Sequence, residues 1–172
     1  SMIFQEPMAS FAPAIKIGKQ MVEQLLLHKS INKEEAKSTS IDMLKRVGIA
    51  DAEKRFNQYA FELSGGMRQR AMIAMALSTM PKLLLADEPT TALDVTIQAQ
   101  VLDLIKSIVK EYKMGVVFIT HDLGVIAQTA DYVAVMYLGC IVESGPVREI
   151  IKNPKHPYTI GLLEALPDVN NL

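Results

Sequence analysis

Residues 83–94 read LLLADEPTTALD, in which four apolar residues run into two adjacent carboxylates and then a turn. The apolar run predicts a strand buried on both faces, as in a parallel sheet. Adjacent acids at its end are costly unless a positive partner lies opposite them, and magnesium carried by a nucleotide is the obvious candidate. Asp87 would then bind the metal while Glu88 orients an attacking water. Two solvated acids in a turn before Pro89 are the alternative.

A helical block precedes this strand, and strands alternate with helices after it. Hydrophobic spacing predicts, in order, a strand at 1–4, a Pro-bearing loop at 5–14, helices at 15–28 and from Asn32 to Gly48, a polar segment at 51–62, a helix at 67–80, strand 82–87, helix 95–112 with Gly115 as its exit, strand 115–120, helix 122–130, strand 131–139, a hairpin partner at 140–145, and helices at 147–152 and 158–166. This alternation implies a parallel α/β sheet with right-handed crossovers.

Composition excludes several classes of protein. Of 172 residues, 49% are hydrophobic and 22% charged, with a net charge of −1 and no run of Lys or Arg, so no nucleic-acid partner is expected. The single cysteine, Cys140, excludes a disulfide framework and favours a reducing, cytosolic setting. No stretch approaches the roughly 18 apolar residues of a membrane span. Because SMIFQ opens on an apolar run without a preceding turn, we expect a fragment.

Three further features suit phosphate chemistry. Ser64, Gly65 and Gly66 immediately precede a predicted helix, whose free N–H groups and dipole would favour an anion. His121 follows a buried strand, where a neutral imidazole can donate to a phosphate oxygen. Gln5 also ends a strand, and its amide can touch a metal or position water. Each feature has a structural alternative: Ser-Gly-Gly can be an N-capped turn, His121 a structural histidine, and Gln5 a surface glutamine.

The order of these parts resembles the ATP-binding-cassette (ABC) ATPases. Gln5 matches the Q-loop, 63–67 the signature, 83–88 Walker B, 92–94 the D-loop and His121 the switch histidine. The stretches MIFQEPMASFAP (2–13) and NPKHPYTIGLLEALP (153–167) are similar to those in ATPase subunits of oligopeptide, dipeptide and nickel importers. Met67 stands where many cassettes have glutamine, which removes a polar contact but leaves the Ser-Gly-Gly backbone unaffected.

The resemblance implies a P-loop NTPase-type parallel α/β sheet with an inserted α-helical subdomain. Its segments are 1–14 (Q-loop strand and loop), 15–80 (helical subdomain with the signature), 81–146 (part of the catalytic core) and 147–172 (the C-terminal helical tail of peptide importers). The implied ligands are ATP and Mg²⁺. The implied site comprises the catalytic Glu88 and His121, the nucleotide-binding Gln5, Ser64, Gly65, Gly66 and Asp94, and the magnesium ligands Asp87 and Gln5.

A phosphate-binding P-loop requires the pattern G-x-x-x-x-G-K-[ST]. The nine glycines at 18, 48, 65, 66, 115, 124, 139, 145 and 161 include no pair five apart. In the family this loop precedes the Q-loop, so we expect an N-terminally truncated chain that is inactive alone. By resemblance, the P-loop strand lies between the strand before His121 and strand 131–137. Without it, those edges must pair together, be covered, or borrow a strand.

The implied function is ATP hydrolysis that energises import of peptides or nickel. The implied partners are transmembrane permease subunits and a second ATPase subunit in a head-to-tail dimer, at the cytoplasmic face of the membrane. Alternatives are an ABC ATPase acting on chromosomes or ribosomes, and a non-catalytic docking module. The helical block is expected to dock the permease, chiefly through the loop from Gln5 to Ala14 and its adjoining helices. Alternatively, Met8, Phe11 and Ile15 pack on the helical block's own core.

Overall fold

The computed structural model describes residues 1–90 and 95–165, with residues 95 and 96 described by backbone only. Contacts group the chain into two compact units, Ser1–Ile119 and a second that begins at Thr120. Over the described residues, none of the helices combines the length and apolar character needed to cross a membrane. The predicted division at residues 14, 80 and 146 stays a prediction.

The elements follow the predicted order closely. They are β1 (Met2–Ile3), α1 (Ile17–His28), α2 (Lys33–Arg46), α3 (Ala52–Phe56), α4 (Gly65–Ser78), β2 (Leu83–Asp87), α5 (Val95–Tyr112), β3 (Gly115–Ile119), α6 (Leu123–Thr129), β4 (Tyr132–Tyr137), β5 (Cys140–Pro146), α7 (Val147–Lys152) and α8 (Pro157–Glu164), with 3₁₀ helices at Pro7–Ser10 and Ala60–Glu62.

Helix α2 begins and ends where its capping residues predict. The Asn32 side chain accepts from the Glu35 N–H at 2.9 Å, and the Glu35 carboxylate accepts from the Asn32 N–H at 3.0 Å, which forms a capping box. Gly48 takes the left-handed conformation, with φ 77°, and its N–H donates to the Lys45 carbonyl at 2.9 Å. Glycine adopts this conformation without a Cβ penalty, so Gly48 ends the helix as predicted.

Helix α5 ends at Tyr112, as predicted. Gly115 marks the end of the connection and is the first residue of β3, where the predicted strand also begins. Between them, Lys113 takes the left-handed conformation, with φ 52°. The Met114 N–H then donates to the Val109 carbonyl at 3.1 Å, which closes the last turn without a glycine.

One apolar core runs through the first unit. Helix α2 packs against α1, α3 and α4, and the sheet joins this core through one of its faces. The most deeply buried side chains of this core are Ile3, Ile17, Met21, Leu25, Leu44, Val47, Met72, Ile73, Leu77, Leu84, Val101 and Ile105.

Two arginines tie the helices together at the surface of this core. Arg46 on α2 donates to both carboxylate oxygens of Glu111 on α5 at 2.5 Å each. Arg70 on α4 donates to the Val47 carbonyl at 2.7 Å and to the Gln100 side chain at 2.9 Å. The planar guanidinium has several N–H donors and can bond to two groups at once. These bonds connect α2, α4 and α5 at the surface.

The first unit holds a parallel sheet in the order β1–β2–β3. Leu84 and Ala86 of β2 are fully buried, whereas Leu83, Val117 and Ile119 remain 46–49% exposed. Successive side chains of a strand point to opposite faces, so one face packs on the core and the other is open. The prediction that these strands are buried on both faces was therefore wrong: sequence hydrophobicity cannot tell which elements will cover a face.

The second unit holds a separate antiparallel hairpin, β4–β5, against which α7 packs. The predicted hairpin is confirmed. Strand β3 pairs with β2 in one sheet and β4 pairs with β5 in the other.

Candidate functional site

The two acids lie where the sequence placed them, at the carboxyl end of β2. Asp87 is the last residue of the strand, stands opposite Ile119 of β3 in register, and is partly exposed. Glu88 is the first residue beyond the strand, and its N–H donates to the Ile119 carbonyl at 2.9 Å. Ligands of open α/β sheets bind at this edge, so both acids occupy a site suited to ligand chemistry.

The backbone of Glu88 is unusual. Its φ is 46°, in the left-handed region that residues with a side chain seldom adopt. Backbone strain of this kind costs on the order of 1–3 kcal/mol and persists only where neighbouring contacts hold it. The bond to Ile119 is one such contact. Because Asp51, Met80, Lys113 and Leu138 take the same conformation, the φ of Glu88 describes the shape of its turn and does not by itself mark a functional residue.

Gln5 reaches the same edge of the sheet. Strand β1 runs parallel to β2, with Ile3 opposite Ala86, so Gln5 and Glu88 each lie two residues beyond the last paired position. Gln5 is exposed. A carboxylate and an amide at one edge offer oxygen ligands, which magnesium prefers. No group of three His, Cys, Asp or Glu able to form an all-protein metal site occurs in the described part of the chain.

The Ser-Gly-Gly stretch begins helix α4 as predicted. Ser64 is the N-cap, and its hydroxyl accepts from the Met67 N–H at 3.3 Å. A Cβ at Gly65 would meet nothing within 4 Å, and one at Gly66 would meet only the Ile97 side chain at 3.6 Å. Packing among the described residues therefore does not demand these glycines. They leave the first backbone N–H groups of a 14-residue helix open to an anion.

Helix α4 is bonded to the Glu88 turn through a residue that sequence reasoning missed. Gln69 is only 2% exposed, and its side-chain amide donates to the carbonyl of Pro89. One signal was available, because Gln69 lies one helical turn before the fully buried Ile73 and so faces the core. A polar side chain at a core-facing position needs a partner, and the sequence does not name it.

Residues of the loop after β1 differ in whether they pack on the core or stay exposed, which are the two predicted alternatives. Phe11 is 4% exposed and belongs to the core, so the core alternative is correct for Phe11. Met8 is 40% exposed, and its sulfur accepts from Arg68 at 3.4 Å. The Gln20 side chain bonds to the backbone of Ala12 and Ile15, which fixes the second half of the loop on α1.

Two predicted site residues, His121 and Asp94, do not belong to the described part of the first unit. His121 is exposed and belongs to the second unit, directly before α6, where Asp122 accepts from the Gly124 and Val125 N–H groups at 2.8 and 3.1 Å. Asp94 lies outside the described residues. The first unit thus brings Gln5, Asp87 and Glu88 to one edge and links α4 to the same turn.

Comparison with known proteins identifies the family. A family model described as "ABC transporter" matches residues 1–91, just over half of the chain. The chain belongs to the ABC transporter family. A second family model, "Oligopeptide/dipeptide transporter, C-terminal region", matches residues 142–172. Both matches confirm the predicted resemblance, including the peptide-importer character of the tail.

Curated relatives from this family are similar over nearly the whole chain. The oligopeptide transport ATP-binding protein OppD of Bacillus subtilis is 58% identical over 170 residues, which cover 99% of this chain and 48% of the relative. The oligopeptide transport ATP-binding protein AmiE of Streptococcus pneumoniae is 55% identical, covering 97% and 47%. The chain therefore spans about half the length of the curated relatives it matches.

Solved ABC structures share the fold. CbiO1 of Clostridium perfringens, part of the ABC transporter complex cbiONQ, superposes with a TM-score of 0.75 at 27% identity, over 89% of this chain and 59% of that one. A dimeric ATP-binding cassette in a post-hydrolysis state with ADP and Pi gives 0.72 at 25% identity, over 86% and 63%. The predicted P-loop NTPase-type α/β fold is confirmed.

Proposed function

We propose that residues 1–172 form part of an ATP-hydrolysing, nucleotide-binding subunit that energises the import of peptides, or of nickel, through a membrane ABC transporter. The observation that carries this proposal is the placement of Asp87, Glu88 and Gln5 at one carboxyl edge of a parallel sheet. The printed names of OppD and AmiE, both oligopeptide transport ATP-binding proteins, support peptides as the substrate class.

The residues of this edge suit ATP and Mg²⁺. Asp87 and Gln5 would bind the metal through oxygen atoms, and water and phosphate oxygens would complete its shell. Glu88 would accept a proton from the attacking water and orient that water. Bound Mg-ATP would supply the phosphoryl group to be transferred. The hydrogen bond from the Glu88 N–H to the Ile119 carbonyl holds the backbone that carries this carboxylate at the sheet edge.

The remaining site residues fit a dimer of ATPase subunits arranged head to tail. Ser64, Gly65 and Gly66 would bind phosphate oxygens of a nucleotide on the opposing subunit, through the open start of α4. Asp94 and His121 would act at the same interface by resemblance, Asp94 between subunits and His121 on the terminal phosphate. The dimeric state of the post-hydrolysis cassette supports this arrangement.

The helical block is the surface we assign to the permease subunits, at the cytoplasmic face of the membrane. Met8 is exposed on the loop after Gln5, and Leu26 and Leu27 on α1 are 42% and 77% exposed. Exposed apolar side chains of this kind can pack against the apolar face of a helix from a partner protein. Because the loop joins the sheet edge to the block, a change at Gln5 would shift the block as a rigid body.

Two other functions remain open to test. An ABC ATPase acting on chromosomes typically places the signature beside long coiled coils, whereas α1 and α2 have only 12 and 14 residues. A non-catalytic docking module would use the same exposed surfaces without hydrolysis. The docking module gives the paired acids at the sheet edge no role. A chromosome-acting ATPase would use them for hydrolysis as well, so the short helices are what disfavour that class.

The decisive experiment uses a longer chain that adds a P-loop region before residue 1. In that chain, Glu88→Gln should lower ATP turnover at least about 100-fold and leave ATP binding unchanged, because only the water-orienting base is lost. Asp87→Asn should instead weaken magnesium-dependent binding. Residues 1–172 alone should show no turnover, since they lack a P-loop sequence. Normal turnover by Glu88→Gln would remove Glu88 from its proposed role.

A further inference from the structure

The Glu88 turn is held from two directions. From the sheet, the Ile119 carbonyl accepts from the Glu88 N–H at 2.9 Å. From the helical side, the amide of Gln69 donates to the Pro89 carbonyl. Pro89 and Thr90 are buried, with Thr90 8% exposed, so this carbonyl lies in an environment where an unpaired acceptor is costly.

Among the described residues, Gln69 joins α4 to this turn through a hydrogen bond. It is 2% exposed on a helix face otherwise made of Ala, Met, Ile and Leu side chains. An apolar residue would pack there at no desolvation cost, so helix packing alone does not require an amide. The bond to Pro89 is what the amide adds.

We infer that Gln69 is a positioning residue: its amide holds the turn that fixes the strained Glu88 backbone, and it links that turn to the start of α4. The inference rests on the proposed function for its catalytic part. Ser64 caps the same helix five residues earlier, about 7.5 Å along the axis. A ligand that moves the helix start therefore moves Gln69 and the Pro89 carbonyl with it.

The catalytic test compares Gln69→Leu with Ser78→Ala in the longer, P-loop-bearing chain. Leucine has a similar volume but no donor. We expect kcat to fall about 10- to 100-fold, with the KM for ATP changed less than about twofold, because the base is misplaced while the phosphate contacts remain. Ser78 is a fully buried polar residue of the same helix that bonds to the Met75 carbonyl, so Ser78→Ala should leave kcat unchanged.

Rescue separates positioning from packing. In Gln69→Glu, an ionised carboxylate cannot donate to the Pro89 carbonyl, whereas the protonated acid can. We expect the activity of this variant, relative to the parent, to rise as the pH is lowered. Gln69→Leu should show the same deficit at every pH. Equal pH profiles for the two variants would overturn the inference.

Hydrogen exchange on residues 1–172 tests the positioning without any ATPase activity. Gln69→Leu should speed exchange of the Glu88 amide at least about tenfold while amides within β2 stay protected. Faster exchange throughout α4 and β2, or unchanged exchange at Glu88, would overturn the inference. If the longer parent chain hydrolyses no ATP, the proposed function fails and this exchange result alone decides the role of Gln69. Unchanged kcat in a parent that does hydrolyse ATP would also overturn it.

Discussion

The helical block and the three-stranded sheet of the first unit bury their apolar side chains to very different extents. In the block, Met21, Leu25 and Leu44 are at most 1% exposed. In the sheet, Leu83 and Ile119 each remain 49% exposed, on the face that also carries Asp87. Burial supplies stability, whereas binding requires access. Substitutions of the buried side chains of the block should therefore act on folding, and substitutions at the open face of the sheet and its edge should act on function.

The loop between the two regions gives the largest expected contrast. Phe11→Asp places a charge at a position that is 4% exposed, and it should cost more than about 4 kcal/mol of the free energy of unfolding. Met8→Asp, three residues earlier and 40% exposed, should cost less than about 1 kcal/mol. Urea unfolding of both variants measures the difference. In the full transporter, Met8→Asp should weaken assembly with the permease. Similar unfolding free energies for both variants would contradict the burial difference.

Adjacent leucines of β2 test the two faces of the sheet. Leu84→Ala removes a fully buried side chain of the core, and should cost about 3 kcal/mol. Leu83→Ala, on the open face, should cost less than about 1 kcal/mol. Thermal unfolding of the two variants under one set of conditions gives the comparison directly. An equal loss would mean that the open face is covered in solution, for instance by a second copy of the chain.

The ends of α2 could be predicted from local sequence, whereas the burial of the sheet and of the loop could not. Asn32 and Gly48 bound α2 through backbone contacts within a few residues, so their roles were predictable. The run at 83–86 predicted a strand, but which face is covered depends on elements far along the chain. Phe11 was ambiguous for the same reason, since loop residues carry no periodic pattern that distinguishes core from surface.

The candidate site was predictable to a similar degree. The acids at 87 and 88 and the Ser-Gly-Gly start of α4 are contiguous motifs, and the structure places them at a strand end and a helix start. The role of Gln69 could not be predicted, because its partner lies 20 residues away and is a backbone carbonyl, which any residue type provides. Its contact exists only once α4 and β2 have packed.

Gly18 and Gly65 differ in what surrounds them, so alanine substitutions at the two positions should have different effects. A Cβ at Gly18 would lie 2.4 Å from three ring carbons of Phe56, so Gly18→Ala should cost about 1–3 kcal/mol. A Cβ at Gly65 meets nothing within 4 Å, so Gly65→Ala should change stability by less than about 0.5 kcal/mol. Under the proposed function, Gly65→Ala should nevertheless weaken ATP-dependent dimerisation. Calorimetric unfolding gives the first comparison, and light scattering with and without ATP gives the second.

The smallest expected effect concerns the second unit, where a carboxylate forms hydrogen bonds to the backbone just before α8. The Glu143 carboxylate accepts from the Lys155 and His156 N–H groups at 2.8 and 3.0 Å. The nearby Thr159 hydroxyl, short of full hydrogen-bond geometry, and these two N–H groups lower the pKa of Glu143 below its ordinary value.

The lowered pKa sets the sign of the pH dependence. A carboxyl whose pKa is lower in the folded state contributes stability above its unfolded pKa and loses it as the pH falls through the folded pKa. The amides of Lys155 and His156 should therefore lose exchange protection below the usual carboxyl range, while amides of β4 and β5 keep theirs. Glu143→Gln should remove this acid transition. The control is His156→Asn, which retains an acceptor at the N-cap. This variant should keep the acid transition, because the carboxylate that titrates is that of Glu143. If the transition persisted in Glu143→Gln, it would belong to another group.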